Sequence, residues 1–161
     1  MRRTAAAAGA VLLVLVAPAC GTSHSSTPKA DPRQVAQNVL DLIVHNRYTQ
    51  AWSSLHPSDQ AVAPRGEYVN CESRSPVIAV PTSVKVVAVR DESVGIGDGS
   101  FLESKAVDLR LGFTGGFHVV QTVHLVAANG QWRWILPPAK YREYKADTCP
   151  TDASTPAPTP S

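Results

Sequence analysis

The chain has 161 residues, 43% of them hydrophobic and 17% charged, which suits one compact domain with tails. Arg2 and Arg3 lie in an N-terminal segment without acidic residues, and removing that segment lowers Lys+Arg from 15 to 13 against 13 Asp+Glu. A formally neutral body without runs of Lys or Arg argues against nucleic-acid binding and against electrostatic docking on anionic lipid.

The N-terminus is typical of an exported protein. Residues 1–3 are a short basic region, and residues 5–16 are an apolar run too short to span a bilayer. The run ends in Val16-Ala17-Pro18-Ala19-Cys20, which resembles a lipobox, the sequence read by the lipoprotein signal peptidase. The resemblance implies removal of residues 1–19 and a lipid on Cys20, which anchors the protein on the extracytoplasmic face of the cell membrane. An ordinary secretory signal is the alternative.

The remaining cysteines and the polar segments define the domain. With Cys20 lipidated, Cys71 and Cys149 are left, and an exported chain most often pairs such cysteines as a disulfide. A free reactive pair and a two-thiol metal site are the alternatives. Residues 20–30 predict a flexible tether and residues 150–161 a disordered Pro/Thr/Ser tail, with tail glycosylation left open. One folded domain is therefore predicted over residues 31–149.

Helical patterns come first in this domain. Asp31-Pro32 predicts a helix start, with a capping carboxylate and Pro at the first helical position. The apolar stripe of this helix consists of Val35, Val39, Leu42 and Ile43. A second helix carries Tyr48, Ala51, Trp52 and Leu55 on one face, and residues 56–59 end it. A third short helix is predicted over residues 64–72.

Strand patterns follow. Residues 84–89, 107–113, 117–127 and 132–136 predict four strands, with a Gly- and Asp-rich flexible hairpin over residues 91–100. Asn129-Gly130 predicts a two-residue turn, which pairs Ala127 with Trp132, Leu125 with Trp134 and Val123 with Leu136. A three-residue turn over residues 114–116 is expected, because a two-residue turn would turn His118 and His124 to the apolar face.

The alternation predicts two different sheet faces. The apolar face, which the helices must cover, shows Val107, Leu109, Leu111, Phe113, Phe117, Val119, Val123, Leu125, Trp132, Trp134 and Leu136. The other face, expected to be mostly wet, shows Asp108, Arg110, His118, Thr122, His124 and Arg133.

Helices followed by an antiparallel meander that ends in Asn129-Gly130-Gln131-Trp132-Arg133-Trp134-Ile135 resemble the nuclear-transport-factor-2-like, or SnoaL-like, cone fold of the cystatin-like superfamily. The opening helix over residues 33–45 and the sequence Tyr48-Thr49-Gln50-Ala51-Trp52 are further matching pieces. The resemblance is greatest to small exported lipoproteins of actinobacteria. It implies an α+β fold, with N-terminal helices on a curved, mostly antiparallel four-stranded sheet, and a pocket between the two layers.

Few residues suggest chemistry. The candidates for lining a pocket are Tyr48, Trp52, Tyr68, Gln121, Trp132 and Trp134. The alternative is that the aromatic side chains are simply core and that Gln121 is a hydrogen-bonded core amide, as is more common for such residues. Catalytic relatives use an inward Asp or an Asp–His pair, but the register turns Asp108 and His124 outward, where a carboxylate is a poor base. No cofactor motif and no metal-ligand spacing are present, so neither a cofactor nor a metal is expected.

These patterns favour a non-catalytic, membrane-anchored domain that binds a small apolar ligand or an envelope protein. One alternative is a SnoaL-like enzyme of the isomerase, cyclase or dehydratase type with an acid–base pair in its pocket. Another is a structural or assembly module that forms a homodimer through Val120, Val126 and Ile135 on the outer sheet face.

Overall fold

The computed structural model describes residues 28–151, which form an α+β domain. The elements are α1 (Pro32–Val44), α2 (Tyr48–Ser53), α3 (Pro57–Val62), α4 (Arg65–Glu72), β1 (Ser83–Gly95), β2 (Phe101–Gly112), β3 (His118–Ala128), β4 (Gln131–Trp134) and α5 (Pro138–Lys145). The strands are antiparallel in the order β1-β2-β3-β4, and the sheet is not closed. The predicted fold class is confirmed. The predicted signal peptide, Cys20, the tether before residue 28 and the tail beyond residue 151 lie outside the described residues.

Helix α1 begins where its local sequence predicts. The Asp31 carboxylate accepts a 2.9 Å hydrogen bond from the Arg33 backbone N–H, and Pro32 takes the first helical position, where no N–H is needed. The helix buries Ala36, Val39, Leu40 and Val44, whereas Val35, Leu42 and Ile43 of the predicted stripe are half-buried. The core therefore lies slightly to one side of the predicted stripe.

The β3–β4 hairpin has the predicted turn. Asn129 and Gly130 have φ of 52° and 72°, so both adopt the left-handed conformation that this two-residue turn requires. Ala127 pairs with Trp132, and Leu125 pairs with Trp134, as predicted. The predicted pairing of Val123 with Leu136 is wrong, because β4 ends at Trp134 and the Leu136 N–H turns to a carboxylate in α3.

The β2–β3 turn has the three residues that the face argument requires. The Phe113 N–H donates to the Phe117 carbonyl at 3.0 Å, and Leu111 pairs with Val119. Gly115 and Gly116 have φ of 91° and 84°. The apolar side chains of β2 and β3 therefore share the face that meets the helices, which confirms the predicted register.

The β1–β2 hairpin is longer and better packed than predicted. β1 extends into the Gly- and Asp-rich stretch and β2 begins directly after it at Phe101, so that only residues 96–100 connect them. The register shifts between Val86 and Ala88, which marks a bulge. At the hairpin tip, a Cβ on Gly97 would lie 2.1 Å from a ring carbon of Tyr141 in α5. The tip therefore rests on α5 through a contact that only glycine permits.

The outer sheet face is not uniformly wet, which corrects the prediction. Val126 and Ile135 are each 5% exposed and pack with Ile96 from the β1–β2 hairpin in a second apolar cluster. The sequence predicted that Ile96 lies in a flexible hairpin, so it did not indicate a packing partner for Val126 and Ile135 on this face. Of the three apolar residues predicted for a sheet dimer, only Val120 remains exposed, at 47%.

Two helices and the disulfide complete the domain. The sequence indicated neither α3, which begins at Pro57, nor α5, which begins at Pro138; residues 56–59 were expected only to end α2. Cys71 in α4 forms a disulfide with Cys149, with their Cα atoms 5.2 Å apart, as predicted. Within residues 28–151, no helix is long and apolar enough to cross a membrane.

Candidate functional site

The space between helices and sheet is filled by aromatic side chains that were candidates for lining a pocket. The Trp134 indole N–H donates to the Ala51 carbonyl at 2.9 Å, and the Trp52 indole N–H donates to the Ala63 carbonyl at 2.7 Å. Tyr68 is 2% exposed, and its ring centroid lies 5.9 Å from that of Tyr144. Burial raises the pKa of the Tyr68 hydroxyl far above its ordinary value. These residues act as core, and both indole N–H groups are already hydrogen-bonded.

Gln121 and Trp132 lie at the margins of this layer. Gln121 is opposite Leu109 on the apolar face, as the register predicts, but its side chain is exposed. Trp132 is half-buried, and its indole N–H donates to the Ala30 carbonyl at 3.0 Å. The structure therefore does not bring the six predicted residues around one enclosed pocket.

An open surface pocket lies where α1 meets α2. Its volume is about 340 Å³, and it is lined by Asn46, Arg47, Tyr48, Thr49, Gln50, Val69 and Ser73. Tyr48 is the one predicted pocket residue in this lining, and its hydroxyl donates to the Asn46 side-chain oxygen. This volume lies within the range of small-molecule sites, although such sites are usually more apolar and more enclosed.

Asn46 is the organising residue of this pocket. Its side-chain amide donates to the Val77 carbonyl at 3.1 Å, and its side-chain oxygen accepts the Val77 N–H at 2.8 Å. The two bonds attach the segment after α4 to the end of α1. Beside Asn46, the Arg47 guanidinium is engaged by Asp41. The polar groups at this end of the pocket are therefore committed to holding the fold.

A polar network lies on the outer sheet face, where Asp108 and His124 were weighed as an acid–base pair. One Asp108 oxygen accepts from Arg90 and the other accepts from the Thr122 hydroxyl, the latter at 2.8 Å. Partial burial acts to raise the pKa of Asp108, but these hydrogen bonds outweigh it and hold the pKa below its ordinary value. Because Asp108 is ionised and already accepts two hydrogen bonds, its carboxylate is a weak proton acceptor.

His124 belongs to the same face but has a different partner. Its Nδ1 atom lies 3.5 Å from the Ser104 hydroxyl, which itself donates to the Glu92 carbonyl at 2.8 Å. Burial lowers the pKa of His124, so the ring is neutral at neutral pH. Ser104 is 4% exposed and its proton is committed to a backbone oxygen. This arrangement positions strands rather than activating a nucleophile.

Sequence reasoning missed a buried carboxylate, Asp59 in α3. Its side chain is fully buried, and it accepts the Leu136 backbone N–H at 2.7 Å and, more weakly, the Ser58 hydroxyl at 3.4 Å. Burial raises the pKa of Asp59 from 3.8 to about 6, against the lowering effect of these two hydrogen bonds. Residues 56–59 were expected only to end α2, and nothing in the sequence indicates that the Asp59 carboxylate turns inward.

A second unpredicted cluster joins α4 to α5 beside the disulfide. Glu72 accepts two hydrogen bonds from the Lys140 ammonium, at 2.8 and 2.9 Å, and one from the Tyr144 hydroxyl at 2.9 Å. All three side chains are at least mostly buried. Together with Cys71–Cys149, this cluster attaches the C-terminal helix to the body.

Metal ligands are not gathered in the described part of the chain: no group of three or more His, Cys, Asp or Glu there is placed to hold an ion. In comparisons with known proteins, neither a protein-family model nor a curated protein matches the chain.

Proposed function

We propose that this protein is an exported lipoprotein, held at the extracytoplasmic face of the cell membrane by a lipid on Cys20, whose domain binds another envelope protein through its surface. Its N-terminal sequence supports the export and the anchor. The Cys71–Cys149 disulfide supports an oxidising compartment, because such bonds are rare in the cytosol.

The filled interior is the observation that carries the surface-binding proposal. The indole N–H groups of Trp52 and Trp134 both donate to backbone carbonyls, and Tyr68 is packed against Tyr144. A ligand entering this layer would have to displace well-packed aromatic rings and break buried hydrogen bonds, which costs several kcal/mol. The surface is therefore the place where the domain acts.

Kinship with the nuclear-transport-factor-2-like cone fold remains our proposal. Its support is the order of elements, with helices before a four-stranded antiparallel meander, and the Asn129-Gly130 turn before the Trp-rich final strand. The filled interior and the added helix α5 differ from the pocket and the elements that this resemblance implied. Such kinship would not by itself assign a function.

A small-ligand function is the second candidate, and the open pocket between α1 and α2 favours it. Its volume of about 340 Å³ would hold a small polar molecule, with Thr49, Gln50 and Ser73 as hydrogen-bonding groups. This differs from the apolar ligand that the sequence favoured, because the apolar layer is occupied by the protein's own side chains.

The two candidates are separated by native mass spectrometry on the exported Cys20→Ser protein, purified without detergent. Surface binding predicts a bare protein mass. A retained small molecule that is lost in Thr49→Val but kept in Thr82→Val, a change at an exposed threonine outside the pocket lining, would overturn surface binding in favour of the pocket. The anchor is tested in parallel, since wild-type protein should partition into detergent and incorporate a labelled fatty acid, whereas Cys20→Ser should do neither.

A further inference from the structure

The outer sheet face ends in two rows that contain no acidic side chain. In the first row Lys85 lies opposite Arg110, and Arg110 lies opposite Val120; in the next row Gly112 lies opposite His118. Directly opposite residues have Cβ atoms about 5 Å apart and point to the same face. Lys85, Arg110, His118 and Val120, all exposed, are called here the cationic end.

Nothing in the described domain neutralises the two cations. Ion pairs and side-chain hydrogen bonds within residues 28–151 involve neither Lys85 nor Arg110. The carboxylate in the adjacent row, Asp108, already accepts from Arg90 and Thr122. Because like charges directly opposite one another destabilise a sheet, this pair opposes folding. An anionic group bound across it would remove the repulsion.

We propose that the cationic end binds an acidic segment of a partner protein, a proposal that rests on the surface-binding function above. Lys85 and Arg110 supply charge complementarity to carboxylates, and Val120, 47% exposed in the same row as Arg110, supplies an apolar contact. A cationic rim beside a small apolar surface is a common form of protein-binding face.

The cationic end lies far from the point where the chain enters the described domain. The chain enters the domain at Ala30, whose carbonyl accepts from the Trp132 indole, and Trp132 lies opposite Ala127. Val120 is seven residues from Ala127 along β3, or about 23 Å, and it points to the other face of the sheet. The formal neutrality of the body, which argues against docking on anionic lipid, favours a protein as the partner.

The test uses the exported Cys20→Ser protein and a fluorescent peptide of alternating Glu and Val, with binding followed by anisotropy at low salt. Lys85→Glu/Arg110→Glu should weaken binding by at least about tenfold. The matched control is Arg65→Glu/Arg142→Glu, which reverses two exposed cations on α4 and α5 that have no ion pair within residues 28–151, and it should change binding less than about twofold. Amide shifts on peptide binding should centre on residues 83–86, 109–112 and 118–121.

A second measurement separates binding from folding. Lys85→Glu places opposite charges across the strand pair, so it should keep or raise the melting temperature while it weakens peptide binding. Three results would each overturn the proposal that the cationic end binds an acidic segment. They are an equal loss of binding in the control pair, no peptide binding by wild type, and binding to phosphatidylglycerol vesicles but not to the peptide. The proposed function fails separately, through a retained small molecule in native mass spectrometry.

Discussion

Asp59 provides the sharpest physical test of this structure. Its folded-state pKa is raised from 3.8 to about 6, mainly by burial. In the unfolded chain the carboxyl ionises near 3.8, so between these values the folded protein retains a proton that the unfolded chain has lost. The contribution of Asp59 to stability therefore falls as pH rises from about 4 to about 6, and it is constant above that. The unfolding free energy falls by about 3 kcal/mol in total across this pH range, since each tenfold change in an equilibrium is worth about 1.4 kcal/mol.

Asp59→Asn should remove this effect. The asparagine oxygen can still accept the Leu136 N–H, and the side chain no longer carries a buried charge. We expect the variant to be about as stable as wild type near pH 4 and up to about 3 kcal/mol more stable at pH 7.5. Asp59→Ala should instead be destabilised by about 1–3 kcal/mol or more, because the buried Leu136 N–H loses its partner.

The assay is urea unfolding followed by tryptophan fluorescence, with the disulfide intact, at several pH values between about 4 and 7.5. Burial lowers the pKa of His56 and of His124, so their contributions fall as pH drops below 6.5, opposite in direction to that of Asp59. Both histidines are present in wild type and in Asp59→Asn. The difference between their two plots of unfolding free energy against pH therefore isolates the contribution of Asp59. Parallel curves, or an Asp59→Asn variant as unstable at pH 7.5 as Asp59→Ala, would refute the reasoning.

Three further substitutions test separate contacts by urea unfolding. Cys71→Ser opens a bond spanning 78 residues and should lower the unfolding free energy by about 4–5 kcal/mol on the chain-entropy account, and a loss below about 1 kcal/mol would contradict it. Trp134→Phe removes one of the three hydrogen bonds to the Ala51 carbonyl and leaves a smaller ring in the core, so it should cost about 1–3 kcal/mol, more than Trp132→Phe, whose ring is only half-buried. Gly97→Ala forces a Cβ against Tyr141 and should cost about 1–3 kcal/mol, whereas Gly66→Ala, with open space around it, should be neutral or stabilising.

Local signals in the sequence determined the helix start and two turns. Asp31 caps α1 through an N–H only two residues away, and Asn129-Gly130 forms its turn from its own backbone preferences. The three-residue turn before Phe117 followed from alternation alone, because a slip of one residue would have exposed the apolar set. The Cys71–Cys149 pairing followed from cysteine count. Each of these required either neighbouring residues or a choice between very few alternatives.

The candidate site depended instead on contacts between residues far apart in the chain. Asp59 meets the Leu136 N–H 77 residues later, and Trp134 meets Ala51 83 residues earlier. The sequence therefore did not indicate the buried carboxylate, and it left open whether the pocket is open or filled by the protein's own side chains. The bulge after Val86 altered the β1 register in a way that alternation does not reveal, and that register sets Lys85 opposite Arg110. The sequence by itself determined α1, α2, α4 and the apolar face of β2 and β3, because periodicity and turn chemistry are local. Only the tertiary structure decided which polar groups were occupied and which charges were left without a partner.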